Sequence, residues 1–435
     1  MRSTNLHKIQ FDGSLLISSE QCISELNSRY AFTVIGGKAR VIDTWDSDLK
    51  LVTKEAFFAM FANRLVDDNG KYISAGEYWW HHPDRRQYLD GVTFDPSAGS
   101  SNSRYNLWRG PSVIASAASS CERLLWHLEH VICGSNQNCF EYLVNWLSLM
   151  MQKPGVLPGT AICMLSAPGT GKGIAMQYIG RMLGPNYIPV THIKDLTGRF
   201  TACLERAVLI FADEVSWTSN KASRSLLKTL ITEPDRVIEK KGVDAFKVRN
   251  CAHLVFASND SNAIPAEIGD RRYFVLEVSD RKIGDTQYFS ELACEMNSGG
   301  PEALLHYLQQ RDISSFDPTK FPGTSSRVRQ ILHTLSPVAQ WYFEVLVDTY
   351  DSEVINNEVP KEHTHSVFMR WHNKQYGTPG ANIAALTQEL KQFGVTQTRP
   401  RSNGGRTRCY TFPTGEAARR NFESVIGGSI DWHLY

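Results

Sequence analysis

Thr160-Ala161-Ile162-Cys163-Met164-Leu165-Ser166-Ala167-Pro168-Gly169-Thr170-Gly171-Lys172-Gly173-Ile174 is the stretch that decides how this chain folds. An apolar run ends in a Gly-rich turn with one lysine, and a helix-patterned run continues to Leu183. Strand, glycine turn and helix in that order hold phosphates. Backbone N–H groups and the helix N-terminus supply partial positive charge, and the lysine supplies a full one. Residues Ser166, Ala167, Pro168, Gly169, Thr170, Gly171, Lys172, Gly173 and Ile174 are therefore expected to bind ATP, with Lys172 also acting in catalysis. Against the pattern GxxxxGK[ST], Ser166 takes the place of the first glycine. Gly173 stands where a Mg²⁺-ligating hydroxyl belongs. Mg²⁺ keeps several waters and needs only one or two protein ligands, so the phosphate seat survives this change while the metal must rely on another side chain.

Downstream, Val208-Leu209-Ile210-Phe211-Ala212 runs into the paired carboxylates Asp213-Glu214. A buried strand would deliver Asp213 to the metal, leaving Glu214 to polarise the attacking water. A third apolar run, His253 to Ser258, ends in Asn259, an amide able to hold that water. A fourth, Tyr273 to Val278, follows Asp270-Arg271-Arg272. Short apolar runs alternating with helical segments predict a parallel α/β sheet. Arg271 or Arg272 is the candidate arginine finger for a neighbour's γ-phosphate, with an ion pair to Asp270 or Glu267 as the plain alternative. Between the second and third runs, Arg236 to Arg249 reads as a hairpin around Gly242-Val243-Asp244, with Lys240 and Lys241 near its tip. Solvated lysines explain that hairpin as well as phosphate contact does.

Taken in order, these elements resemble the superfamily 3 helicases of the AAA+ class, and more closely the helicase part of phage and plasmid primase–helicases. Tyr105-Asn106-Leu107-Trp108-Arg109-Gly110, Leu143-Val144-Asn145-Trp146, Gln152-Lys153-Pro154-Gly155, Ile238-Glu239-Lys240-Lys241-Gly242 and Ala257-Ser258-Asn259 carry the likeness, which covers roughly residues 90 to 290. The resemblance implies a homo-hexameric ring that hydrolyses ATP with Mg²⁺ at subunit interfaces and moves on single-stranded DNA. It also implies that Lys240 and Lys241 sit on the pore hairpin. The implied architecture is an AAA+ P-loop core (156–335) with a parallel sheet. A small α+β region (1–111) and a helical bundle (112–155) precede it, and a winged-helix-like domain (336–435) follows. Only about 110 residues precede the likeness, too few for a primase–polymerase domain, so a separate primase or polymerase partner is expected.

The tail adds a local charge signal. From Val395 to Pro413 there are four arginines, Arg399, Arg401, Arg406 and Arg408, and no acid. They lie in a hairpin that turns at Ser402-Asn403-Gly404-Gly405, behind the helical run Ile383–Phe393. A helix followed by a basic wing suits a DNA groove and its backbone.

The 435 residues carry a net charge of +1, which gives no global pull toward nucleic acid, so any basic surface must be local. Nine irregularly spaced cysteines suggest reduced thiols. No run approaches the ~18 apolar residues of a membrane span. A cytoplasmic protein working inside a bacterial host, without a membrane partner, is expected. His127, His130, Cys133 and Cys139 invite zinc, but the first three are spread around one helix. Asp43, Asp46 and Asp48 mimic a metal trio yet read as a strand end and polar loop. Tyr78-Trp79-Trp80-His81-His82-Pro83-Asp84-Arg85-Arg86 can stack bases, though such a cluster more often builds a small core. Two other functions compete with the helicase. One is a DNA-binding initiator or scaffold that uses ATP only for assembly. The other is a nucleotide kinase, which leaves Asp213-Glu214, the Asn259 strand and the basic tail unexplained.

Overall fold

The computed structural model describes residues 16–46, 49–97, 103–191, 196, 204–213, 221–240, 243–260, 267–347, 358–378, 380–402 and 405–435. Its centre is a five-stranded, wholly parallel sheet. Across the sheet the strands run Tyr187–Val190, Leu209–Asp213, His253–Ser258, Ala161–Leu165 and Tyr273–Glu277. Every residue of Ala161–Leu165 and of His253–Ser258 is buried, as expected of parallel strands covered on both faces. Alternation sorts their side chains. Ile162 and Met164 join a core with Trp146, Tyr178 and Leu304, from the helices Gln137–Gln152, Lys172–Leu183 and Gly300–Gln310. Ala161, Cys163 and Leu165 face the other way. Their cluster continues through Val328 and Ile331 of helix Ser325–His333 into the C-terminal core around Tyr342, Phe393 and Phe422.

Before the sheet, residues Ile17 to Trp80 close a separate aromatic core. Here the stretch Tyr78 to Arg86 is structural. Trp79 is fully buried and its indole donates to Asn27 at 2.8 Å. Arg85 lies over the Phe32 ring at 3.8 Å. Asp43 is clamped by the Arg29 guanidinium (3.0 and 2.7 Å); Asp48 lies outside the described residues. Among the described residues no cluster of histidine, cysteine and carboxylate side chains could hold a metal, and no helix is long and apolar enough to cross a membrane.

Several bounds differ from the sequence pattern. The helical run expected from Ser112 begins only at Glu122. It passes at Leu128–Ile132 into a π-helix before the helix Gln137–Gln152. The edge strand Tyr187–Val190 was not foreseen. Pro189 interrupts its pattern, and an edge strand is where a sheet tolerates proline. Strands Asp235–Lys240 and Val243–Arg249 pair antiparallel, so Val243 and Asp244 belong to a strand rather than the turn. The C-terminal region holds helices Pro337–Val347, Lys361–Tyr376, Ile383–Gln392 and Gly415–Ile426 around a three-stranded sheet. In that sheet Cys409–Thr411 lies between Glu358–Pro360 and Thr396–Thr398.

Candidate nucleotide site

The turn after Ala161–Leu165 is built on glycine. Gly169 and Gly171 have φ of 80° and 97°, the left-handed region that side chains resist. Gly171 caps helix Lys172–Leu183 and is also hemmed in. A Cβ there would stand 2.6 Å from the His127 ring and 2.7 Å from Phe289. Gly173 opens onto empty space, so a hydroxyl at that position is sterically allowed but not supplied.

Lys172 is buried, and its ammonium donates to four acceptors. They are the Ser166 carbonyl (3.1 Å), Ser166 Oγ (2.7 Å), the Ala167 carbonyl (3.3 Å) and Asn259 Oδ1 (3.2 Å). Register explains the last contact. Leu165 is level with Ser258, so Ser166 and Asn259 leave adjacent strands side by side, and the Ser166 N–H donates to the Ser258 carbonyl at 3.2 Å. One strand further over, Asp213 is level with Ala257. Lys172, Asp213 and Asn259 thus meet on one cavity of about 380 Å³, together with Pro168 to Ile174 and Phe289. A second cavity of about 730 Å³ adjoins the turn on the side of Glu277, Ser326 and Arg329. Both open at the carboxyl ends of the parallel strands, where α/β sheets bind their ligands. Thr170 does not replace the missing hydroxyl of Gly173, because its Oγ1 is engaged by Ser166 Oγ at 2.8 Å. Asp213 is the described carboxylate on the cavity; Glu214 lies outside the described residues.

His127, which the sequence offered only as a weak zinc candidate, supports the turn from behind. It is fully buried, and burial pushes its pKa down to about 4 against a small opposing pull from the Gly171 carbonyl. The ring is therefore neutral near pH 7. Its Nε2–H faces the Gly171 carbonyl at 3.3 Å, and Nδ1 accepts from the Tyr288 hydroxyl at 2.9 Å. A neutral donor fixes the turn without adding charge beside the phosphate seat. Neither Phe289 nor Tyr288 stood out in the sequence, since both lie on helix Thr286–Asn297 at ordinary core spacing.

The two arginines separate. Arg272 forks onto buried Asp270 through Nε (2.8 Å) and Nη2 (3.1 Å), while Arg271 is exposed. The Ala161 N–H donates to the Arg272 carbonyl at 2.7 Å, so both arginines sit at the amino end of the sheet. The phosphate turn begins five residues away at the other end, roughly 16 Å along the strand. The hairpin is anchored at that amino end too. Asn250, just before His253, gives its side-chain amide to the Leu230 (2.7 Å) and Glu233 (2.9 Å) carbonyls. Lys240 is the last residue of its first strand, and Lys241 lies outside the described residues. In the C-terminal hairpin Arg399, Arg401, Arg406 and Arg408 are all exposed.

Residues 164–272 match a family described as "Family of unknown function (DUF5906)". The chain is 26% identical over 154 residues to the DNA Primase-polymerase of Nitratiruptor phage NrS-1, a match that takes in 33% of this chain and 21% of that protein. It therefore matches about a fifth of that relative's length. Two solved apo structures of the NrS-1 C-terminal region superpose on 90% of this chain and 98% of theirs, with TM-scores of 0.66 and 0.64 at 15% and 14% identity. A third of the chain is thus related in sequence to the phage protein, and nearly all of it shares the fold of that protein's C-terminal region.

Proposed function

We propose that this protein is an ATP-driven DNA translocase or helicase serving phage-type replication, with an AAA+ P-loop core that hydrolyses ATP between subunits of a ring. One observation carries the reading: Lys172, Asp213 and Asn259 meet with the glycine turn on a single cavity at the carboxyl end of the parallel sheet. The likeness to the C-terminal region of a phage primase–polymerase favours a replication role.

The N–H groups of Gly169 to Lys172 would hold the phosphates, and Lys172 would turn from its protein acceptors to the γ-phosphate. Asn259 would then orient the water that Glu214 polarises. Asp213 would hold Mg²⁺ with waters and phosphate oxygens as the remaining ligands, and the ion would offset charge on the β- and γ-phosphates. Arg271 is too far along the strands to serve its own turn, so it would complete a neighbour's site. Lys240 and Lys241 would grip single-stranded DNA from the hairpin.

The test is ATP hydrolysis with and without single-stranded DNA. Stimulation that vanishes in Lys172→Ala is expected. Phosphoryl transfer to a nucleoside monophosphate, with no response to DNA, would make the protein a kinase instead. DNA binding with ATP bound but never turned over would make it an assembly-driven initiator.

A further inference from the structure

The C-terminal hairpin keeps one register from end to end. Thr398 pairs with Cys409, the Thr407 N–H donates to the Pro400 carbonyl at 3.4 Å, and Arg401 pairs with Arg406. Continuing from Thr398–Cys409 by one step sets Arg399 opposite Arg408. The third strand extends the same row. Pro360 pairs with Cys409, and the Lys361 N–H donates to the Arg408 carbonyl at 3.0 Å. Three cations, Lys361, Arg408 and Arg399, therefore lie in one row, each one residue beyond the end of its strand. Alternation places Arg401 and Arg406 on the same face two residues further out, about 7 Å away.

Like charges directly opposite one another destabilise a sheet. Lys361 is also 9% exposed and is the first residue of helix Lys361–Tyr376, the end where a cation is disfavoured. Its ammonium donates to Gln397 Oε1 at 2.5 Å and lies 4.9 Å from the Tyr410 ring centroid. Burial first, then Arg408 and Arg399, pull its pKa down. The nearby acids Glu358 and Glu362 are exposed, and their field is felt at Cys409. Lys361, Gln397, Thr398, Arg399 and Arg408 enclose a polar cavity of about 350 Å³. An anion seated on this row would offset the repulsion.

We propose that the row Lys361–Arg408–Arg399 is a seat for one internal phosphodiester of a DNA strand, with Gln397 as a neutral donor and the Arg401–Arg406 pair holding the next phosphate. It rests on the DNA reading above and adds Lys361, which no basic run in the sequence marks.

The test compares the full chain with its Lys361→Met variant in two measurements. One is anisotropy with a 5′-hydroxyl DNA oligonucleotide across a salt series; the other is thermal melting without DNA. Expected is a several-fold weaker Kd, a log–log salt slope smaller by about one, and a melting temperature that stays level or rises. Arg399→Ala should repeat the loss. An unchanged Kd and slope in both variants, with DNA still bound, would overturn the seat alone. No DNA binding by the parent chain would overturn the DNA reading itself. Tighter binding to a 5′-phosphorylated oligonucleotide that depends on Lys361 would show a terminal-phosphate site and refute the internal one.

Discussion

Gly171 shows how much can rest on one residue. Its φ of 97° already excludes most side chains, and His127 and Phe289 fill the space where a Cβ would go. Gly171→Ala should lower stability by about 1–3 kcal/mol, read as a shift in the urea midpoint, and should weaken nucleotide binding with it. Lys172 and Asn259 form the other residue-scale unit. Asn259→Ala should leave ATP binding nearly intact and reduce turnover by about 10²-fold, the size seen when one oriented donor is lost. Unchanged turnover would remove Asn259 from its role. Both residues stand out in the sequence, because a lysine in a glycine turn and an amide at a strand end announce themselves. The sequence could not place His127, whose partners Gly171 and Tyr288 are 44 and 161 residues away in the chain.

Among elements, the parallel strands were the most legible, since doubly covered strands read as unbroken apolar runs. Tyr187–Val190 escaped because an edge strand with proline lacks that signature. The helical run expected from Ser112 differs only at its start, since residues 112–121 hold no helix and the run begins at Glu122. A π-helix at Leu128–Ile132 breaks the 3.6-residue period, and such segments often mark functional sites; here it follows directly on His127. The ambiguity between Arg271 and Arg272 was also beyond sequence, because only geometry reveals the Asp270 fork. If Arg271 acts across an interface, Arg271→Ala and Lys172→Ala will each be inactive alone. Mixed, they should recover part of the ATPase, because each supplies what the other lacks. Mixtures no more active than either parent would place Arg271 outside the chemistry. Arg272→Ala should act differently, lowering the melting temperature by leaving buried Asp270 without its guanidinium partner.

Over the whole molecule, two buried histidines set an acid limit. His127 and His253 are both pushed to about 4, burial being the larger cause in each. Their folded values lie below the ~6.5 of an unfolded histidine, so the unfolded chain binds the extra protons between those values. Stability should be full above about pH 6.5 and fall as the pH drops toward 4, by about 2 kcal/mol per histidine at pH 5. His253→Leu should flatten that decline by about half, measured as urea midpoints at pH 7 and 5. Fold-level packing also joins what the sequence divided. One face of the central sheet and the C-terminal helices share one apolar cluster through Val328 and Ile331, while helix Lys172–Leu183 packs on the opposite face. The central claim is that ATP turnover moves the protein along single-stranded DNA. Strand displacement on duplexes with a 3′ or a 5′ tail tests it most directly. Separation of one tailed substrate is expected, dependent on ATP and absent in Lys172→Ala. Intact ATP hydrolysis with neither duplex separated would contradict it.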